Sequence, residues 1–337
     1  MAHAHVSDPR RNGQSLDELI AGVKRREPAA LGRAVSLIES TAPADRVRAG
    51  ELLTQLGPAA RPSVLVGISG VPGVGKSTFI DGMGARLLAQ GHKVAVLAVD
   101  PSSTVSGGSI LGDKTRMQKL AGDPRAFVRP SPTAGTLGGV APRTPETIAL
   151  CEAAGFDVII VETVGVGQSE TSVADLADVF LVLMLPGGGD ELQGIKRGLM
   201  ERADVIAVNK ADGSNAERAQ ATARDYRTAM HLMRGRDAAG PPPVLTCSAL
   251  EGTGLDEVWS ALLERRLGLV ESGVLAARRR EQRVRWMWAL VEQRVRSALE
   301  THESVRGLLD EVTRSVADGS MPPSVAAERL LRAVGLG

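Results

Sequence analysis

Residues 70–78 read GVPGVGKST, a match to Gly-x-x-x-x-Gly-Lys-Ser/Thr placed between a short apolar run and a stretch of helical periodicity. Glycines let backbone N–H groups converge on phosphate oxygens, and the helix that follows presents its positive N-terminus to them. In that frame Gly70, Val71, Pro72, Gly73, Val74, Gly75 and Thr78 build a cradle, Lys76 reaches the β and γ phosphates, and Ser77 offers a hydroxyl to Mg²⁺. A second motif, NKAD at 209–212, closes a later apolar run with Asn209, Lys210 and Asp212. A carboxylate at Asp212 can accept from both the N1–H and the 2-amino group of guanine, whereas adenine offers no such pair of donors, and Lys210 can lie along the base plane. CSAL at 247–250 follows, where an N–H of Ser248 or Ala249 can donate to the guanine O6, with Leu250 beside them. The order of the motifs makes GTP and GDP the expected ligands.

Three acids stand between these motifs. Asp100 ends a strand-like run in VDPSS, Asp113 follows the Gly- and Ser-rich TVSGGSILGD, and Glu162 ends another run in the Walker B position. A strand-end carboxylate near Ser77 suits Mg²⁺, an ion that prefers hard oxygen donors and keeps part of its water. For Asp100 and Asp113 the plainer role of loop cap stays open. The stretch VETVGVGQSE, 161–170, is unusual beside an Asp-x-x-Gly switch followed by a water-aligning glutamine. Its acid is Glu162, and Val166 follows Gly165. Hydrolysis by the isolated chain is therefore expected to be slow.

Positioning these groups requires strands that end together. Seven short apolar runs, SVLVGISG, HKVAVLAVD, AFVRP, DVIIVET, DVFLVLMLP, DVIAVNKAD and PVLTCSAL, alternate with amphipathic stretches. Their unbroken apolar character predicts an α/β fold, a doubly wound and mostly parallel sheet covered on both faces. Residues 1–60 carry a helical extension, with apolar positions at Leu16, Leu19, Ile20, Val23, Leu31, Val35, Leu37 and Ile38. A nucleotide-binding domain is expected over 61–270 and a helical arm over 271–337. GRDAAGPPP, 235–243, reads as a surface loop. Forty Lys and Arg against 39 Asp and Glu leave a net charge of +1, which points to no nucleic acid or acidic membrane. No apolar run approaches the roughly 20 residues of a membrane span. Two cysteines, Cys151 in a stretch that reads as a helix and Cys247 in one that reads as a buried strand, and a first stretch unlike a signal peptide fit a reduced cytoplasm.

Taken in order, GVPGVGKST, VDPSS, ILGDKTRM, GTLGG, VETVGVGQSE, GGGDELQGIKRGLMERAD and NKAD resemble the MeaB family, which includes the mitochondrial methylmalonic aciduria type A proteins. These are GTPase chaperones of methylmalonyl-CoA mutase within the metallochaperone group of P-loop GTPases. The resemblance covers most of the chain and is most specific over 63–213. It implies a Glu in place of the usual Walker B Asp, which accounts for Glu162. It also implies that the stretch after Asp100, with Asp113, is switch I, and that 162–170, with Gly165 and Gln168, is switch II. GGGDELQGIK, with Asp190, Gln193 and Lys196, resembles switch III, which relays nucleotide state to the mutase. Three glycines before Asp190 make a hinge reasonable there, although a plain strand-to-helix loop would read the same way. A partner would complete the hydrolytic site in trans.

The last segment holds a helical stripe at Val284, Trp288, Val291, Val295 and Leu299. Seven arginines against two glutamates between 278 and 296 interleave around it, so a solvated face or a dimer seam is favoured over RNA. In the family the C-terminal helices form a homodimer. Two other readings stand beside the mutase GTPase: a nickel-insertion metallochaperone, which needs Cys and His near the switches, and an ATP-using kinase or transport ATPase linked to basic amino-acid uptake.

Overall fold

In the computed structural model, the described residues are 15–40, 42–100, 117–132, 143–163, 169–187, 197–234 and 240–335. Seven strands form one sheet in the order β3-β2-β4-β1-β5-β6-β7, and every neighbouring pair is parallel. They are β1 (Val64–Gly70), β2 (Val94–Asp100), β3 (Ala126–Pro132), β4 (Val158–Thr163), β5 (Val179–Met184), β6 (Val205–Val208) and β7 (Val244–Thr246). Each corresponds to one of the seven apolar runs. Every residue of β4, β5 and β6 is buried, as befits strands covered on both faces. With β1 central, the chain winds outward to β3, returns to insert β4 between β2 and β1, then continues through β5 to β7. The crevice outside the C-terminal ends of β1 and β4 is where such a sheet presents a ligand site.

The N-terminal extension comprises α1 (Leu16–Lys24), α2 (Pro28–Glu39) and α3 (Pro43–Leu56). Ser15 and Glu18 cap α1 reciprocally: Ser15 Oγ accepts from the Glu18 N–H and Glu18 Oε2 from the Ser15 N–H, both at 3.1 Å. Proline opens α2 and α3, where its missing N–H costs nothing. Leu19, Ile20, Val23, Leu31, Val35 and Ile38 are buried, as their spacing predicts. These helices lie on the αβ body, with Glu39 paired to Arg129 of β3 at 3.0 Å.

Around the sheet stand α4 (Lys76–Ala89), α5 (Gln118–Ala121), α6 (Thr144–Ala153), α7 (Ser169–Leu176), α8 (Arg197–Arg202), α9 (Ala216–Arg234) and α10 (Leu255–Glu271). The sheet end opposite the ligand crevice is closed by a buried ion pair that the sequence did not announce. Asp178, fully buried, accepts from the Leu65 N–H at 3.2 Å and pairs with Arg266 Nε of α10 at 3.1 Å, while Arg266 also donates to the Ser63 carbonyl. A buried carboxylate persists only with such partners.

The chain divides into two compact units, Met1–Arg278 and Arg279–Gly337. Helix α11 (Val274–Thr301) begins in the first and continues in the second, which also holds α12 (Glu303–Ala317) and α13 (Pro323–Arg332). Val305, Val312 and Ala326 are buried in this second unit. The stripe on α11 is exposed, with Val284 at 54%, Trp288 at 56% and Val295 at 53%.

Candidate nucleotide-binding site

Five residues, 71–75, join β1 to α4, and their geometry is set by what the next helix needs. Gly75 takes φ +92°, a left-handed value that suits glycine, and a Cβ there would lie 3.0 Å from Asn209 Nδ2. No side chain caps α4, so the N–H groups of its first turn stay available to an anion. Lys76 is buried, and its ammonium folds back over the loop to donate to the Gly70 carbonyl at 2.7 Å and the Val71 carbonyl at 3.4 Å. A cation held beside the loop by these carbonyls is suited to bridging phosphate oxygens.

Beside this loop, the pairing of β1 with β4 sets Ile68 opposite Glu162. Glu162 is buried, and its Oε1 accepts from Ser77 Oγ at 3.3 Å. Next along the strands, Thr163 Oγ1 donates to Ser69 Oγ at 3.0 Å, tying the two strand ends together. The hydroxyl and carboxylate form a pair of hard oxygen donors that fits Mg²⁺. Asp100 closes β2 one residue beyond Val99, which pairs with Thr163 of β4, so its backbone reaches the same strand-end level. Asp113, Gly165, Gln168, Asp190, Gln193 and Lys196 lie outside the described residues.

The base-reading motifs come together at the ends of β6 and β7. Asn209 is buried and joins three segments. Its Nδ2 donates to the Val74 carbonyl of the phosphate loop at 2.8 Å, and its Oδ1 accepts from the Ala249 N–H at 2.9 Å and from Cys247 Sγ at 3.7 Å. Lys210 takes a left-handed φ of +61°, which turns the chain between Asn209 and Asp212. The Ser248 N–H donates to the Thr253 carbonyl and the Ala249 N–H to Asn209 Oδ1, each at 2.9 Å, so these two donors hold the turn and are not free for guanine O6, contrary to what the CSAL motif predicts. Ser248 Oγ accepts from the Glu251 N–H at 3.1 Å and donates to the Asp212 carboxylate. Asp212 thus has one oxygen committed to Ser248, leaving acceptor capacity for a base edge. Leu250 next to this pair is 80% exposed, an apolar surface suited to lie on a planar ring. The bracing role of Asn209 was not visible in the sequence, because its partner Val74 is 135 residues away. Both cysteines are buried, and burial pushes each thiol up to about 12, so neither is a thiolate at neutral pH.

A parallel sheet with a phosphate loop after its central strand, a strand-end acid beside the loop serine and a braced NKAD-and-SAL pair define a P-loop GTPase. The family model described as methylmalonyl Co-A mutase-associated GTPase MeaB matches residues 31–304, and the chain belongs to that family. It is 49% identical over 336 residues to the Mycobacterium bovis protein named Probable GTPase Mb1533, covering 100% of this chain and 98% of that one. It is 45% identical to the mitochondrial methylmalonic aciduria type A homolog of Mus musculus, covering 94% of this chain and 79% of the relative. Among solved structures, one titled LAO/AO transport system kinase superposes with a TM-score of 0.71 at 36% identity, covering 98% of this chain and 99% of that chain.

Proposed function

We propose that this GTPase gates or protects the loading of cofactor into an adenosylcobalamin-dependent methylmalonyl-CoA mutase, working in the cytoplasm. The observation that carries the reading is the Ser77–Glu162 pair at the head of β1 and β4, in a chain whose family is mutase-associated. Lys76 and the first-turn amides of α4 hold the β and γ phosphates. Ser77 and Glu162, with Asp100 and Asp113, would hold Mg²⁺. That ion, when bound, neutralises charge on the transferring phosphoryl group. Glu162 keeps its carboxylate where it can orient the attacking water or a metal-bound one. Asp212 reads N1–H and the 2-amino group, and Lys210 and Leu250 flank the ring. Gly165 and Gln168 belong to the switch that senses the γ phosphate, and Asp190, Gln193 and Lys196 carry its state to the mutase.

With Val166 where a water-aligning glutamine would stand, the mutase completes the site. A client that speeds hydrolysis must bind the transition-state arrangement better than the ground state. Adding purified methylmalonyl-CoA mutase should therefore raise the GTP hydrolysis rate by about tenfold or more. An unchanged rate would remove the mutase from the reading.

The division into an extension over 1–60, a GTPase domain over 61–270 and a dimerisation arm over 271–337 belongs to the same proposal. The exposed stripe of Val284, Trp288, Val291 and Val295 on α11 is the seam with a second copy of the chain. No partnership with nucleic acid or membrane enters it, given the balanced charge. Among the described residues no helix is long and apolar enough to cross a membrane. Truncation after Arg278 keeps every residue of the first unit and should give a nucleotide-binding monomer by light scattering. A dimer surviving the truncation would move the seam to the GTPase domain.

A further inference from the structure

The turn that carries Ser248 and Ala249 is held from inside and from outside. Inside, the Ser248 N–H donates to the Thr253 carbonyl at 2.9 Å and the Gly252 N–H to the Ser248 carbonyl at 2.8 Å. Outside, its support comes from α4, the helix that starts at Lys76. Gly82 lets the turn approach closely, since a Cβ there would lie 3.4 Å from the Ala249 carbonyl oxygen and 3.2 Å from Leu255 Cδ1. One helical turn further, on the same face, Arg86 Nη2 donates to the Gly252 carbonyl and Nη1 pairs with Asp256 at 2.9 Å. Gly252 sits at φ +79°, and a Cβ there would lie 2.7 Å from Arg86 Nη2, so this position keeps the guanidinium's place clear.

We propose that Arg86 is a positioning residue for base selection: from the phosphate-binding helix it holds the Gly252 carbonyl, and through that turn fixes the Ser248 hydroxyl on Asp212. The inference rests on the reading that guanine is recognised at Asp212. One rigid helix then carries the phosphate cradle at its start and supports the base turn ten residues later, which sets the distance between the two ends of the site. Arginine suits the task because its planar fork makes two directed hydrogen bonds at once. Asp256 is 59% exposed, so its ion pair adds little, and the part-buried end of the fork, on the carbonyl, does the holding.

The test uses the full chain with GDP and IDP, which differ only in the 2-amino donor that Asp212 reads. Arg86→Ala should weaken GDP binding about tenfold and IDP binding about threefold, because a less firmly held Asp212 weakens, without losing, two bonds to guanine and one to hypoxanthine. Turnover at saturating GTP should stay within about twofold, since the phosphate end is untouched. Arg86→Lys should recover part of the preference, and Asp256→Ala should keep nearly all of it. An unchanged GDP-to-IDP preference in Arg86→Ala overturns the proposal, whether or not the melting temperature falls, because a merely structural contact would weaken both nucleotides alike. If the Ala variant does not fold, Arg86→Gln, with one fork arm, must show the same loss of preference or the proposal fails. An Asp212→Asn variant that gains xanthosine diphosphate beside a flat Arg86→Ala would remove only the role of Arg86. An Asp212→Asn variant with no such gain would remove the base assignment itself.

Discussion

Replacing Lys76 with Ala is expected to abolish tight nucleotide binding, while replacing Glu162 with Ala is expected to spare binding and stop turnover. The two side chains flank the same loop, yet their surroundings differ. The Lys76 ammonium lies within hydrogen-bonding distance of the Gly70 carbonyl that opens the loop, at 2.7 Å, so its charge is already where phosphate oxygens arrive. Removing one partner of a desolvated charge pair costs about 3–5 kcal/mol, a loss of about two to nearly four orders of magnitude in affinity. Glu162 meets Ser77 at 3.3 Å, on the side of the loop where a metal and the attacking water belong. Its loss should lower the single-turnover rate by about 10²–10³, the usual cost of removing one preorganised polar group from a transition state. GTP affinity should change by less than about tenfold. Glu162→Gln keeps the oxygen and removes the charge, so an intermediate rate would assign part of the effect to charge. Fluorescent-nucleotide titration and phosphate release read the two quantities separately. Equal loss of binding in both variants would contradict the division of roles.

The parts of this molecule legible in sequence are those set by local pattern. Unbroken apolar runs such as VIIVET and VFLVLM announced strands buried on both faces, and each is fully buried. The phosphate loop was legible because its glycines and lysine act within one strand-turn-helix unit. NKAD and SAL were legible as motifs but not as a connected pair, since the bond from Asn209 to Ala249 spans 40 residues. The insertion of β4 between β2 and β1 was hidden for the same reason: strand order is a property of the assembled sheet. Arg266 with Asp178 and Arg86 with Gly252 read as ordinary charged positions on amphipathic helices until the fold brings their partners to them. The switch positions Gly165, Gln168, Asp190, Gln193 and Lys196 drew on family resemblance more than on pattern, and they lie outside the described residues.

Asp212→Asn is expected to exchange one base for another, and the geometry says which way the new side chain faces. Ser248 Oγ accepts from the Glu251 N–H at 3.1 Å, so its hydroxyl hydrogen is left to donate to residue 212. An asparagine there satisfies Ser248 only with its carbonyl oxygen, which turns its amino group toward the base. That donor confronts the N1–H and 2-amino donors of guanine, so two charge-assisted bonds are lost and a repulsive contact replaces them. At about 1.5–3 kcal/mol for each bond to a charged group, GDP affinity should fall by about a thousandfold. Xanthine carries an acceptor where guanine carries the 2-amino group, and that acceptor meets the new donor. The most direct measurement is a paired titration of GDP and xanthosine diphosphate against the wild-type chain and Asp212→Asn. Base reading at Asp212 predicts that the wild type prefers GDP and the variant prefers xanthosine diphosphate; a variant that keeps full GDP affinity would place the base elsewhere and contradict the site described for this GTPase.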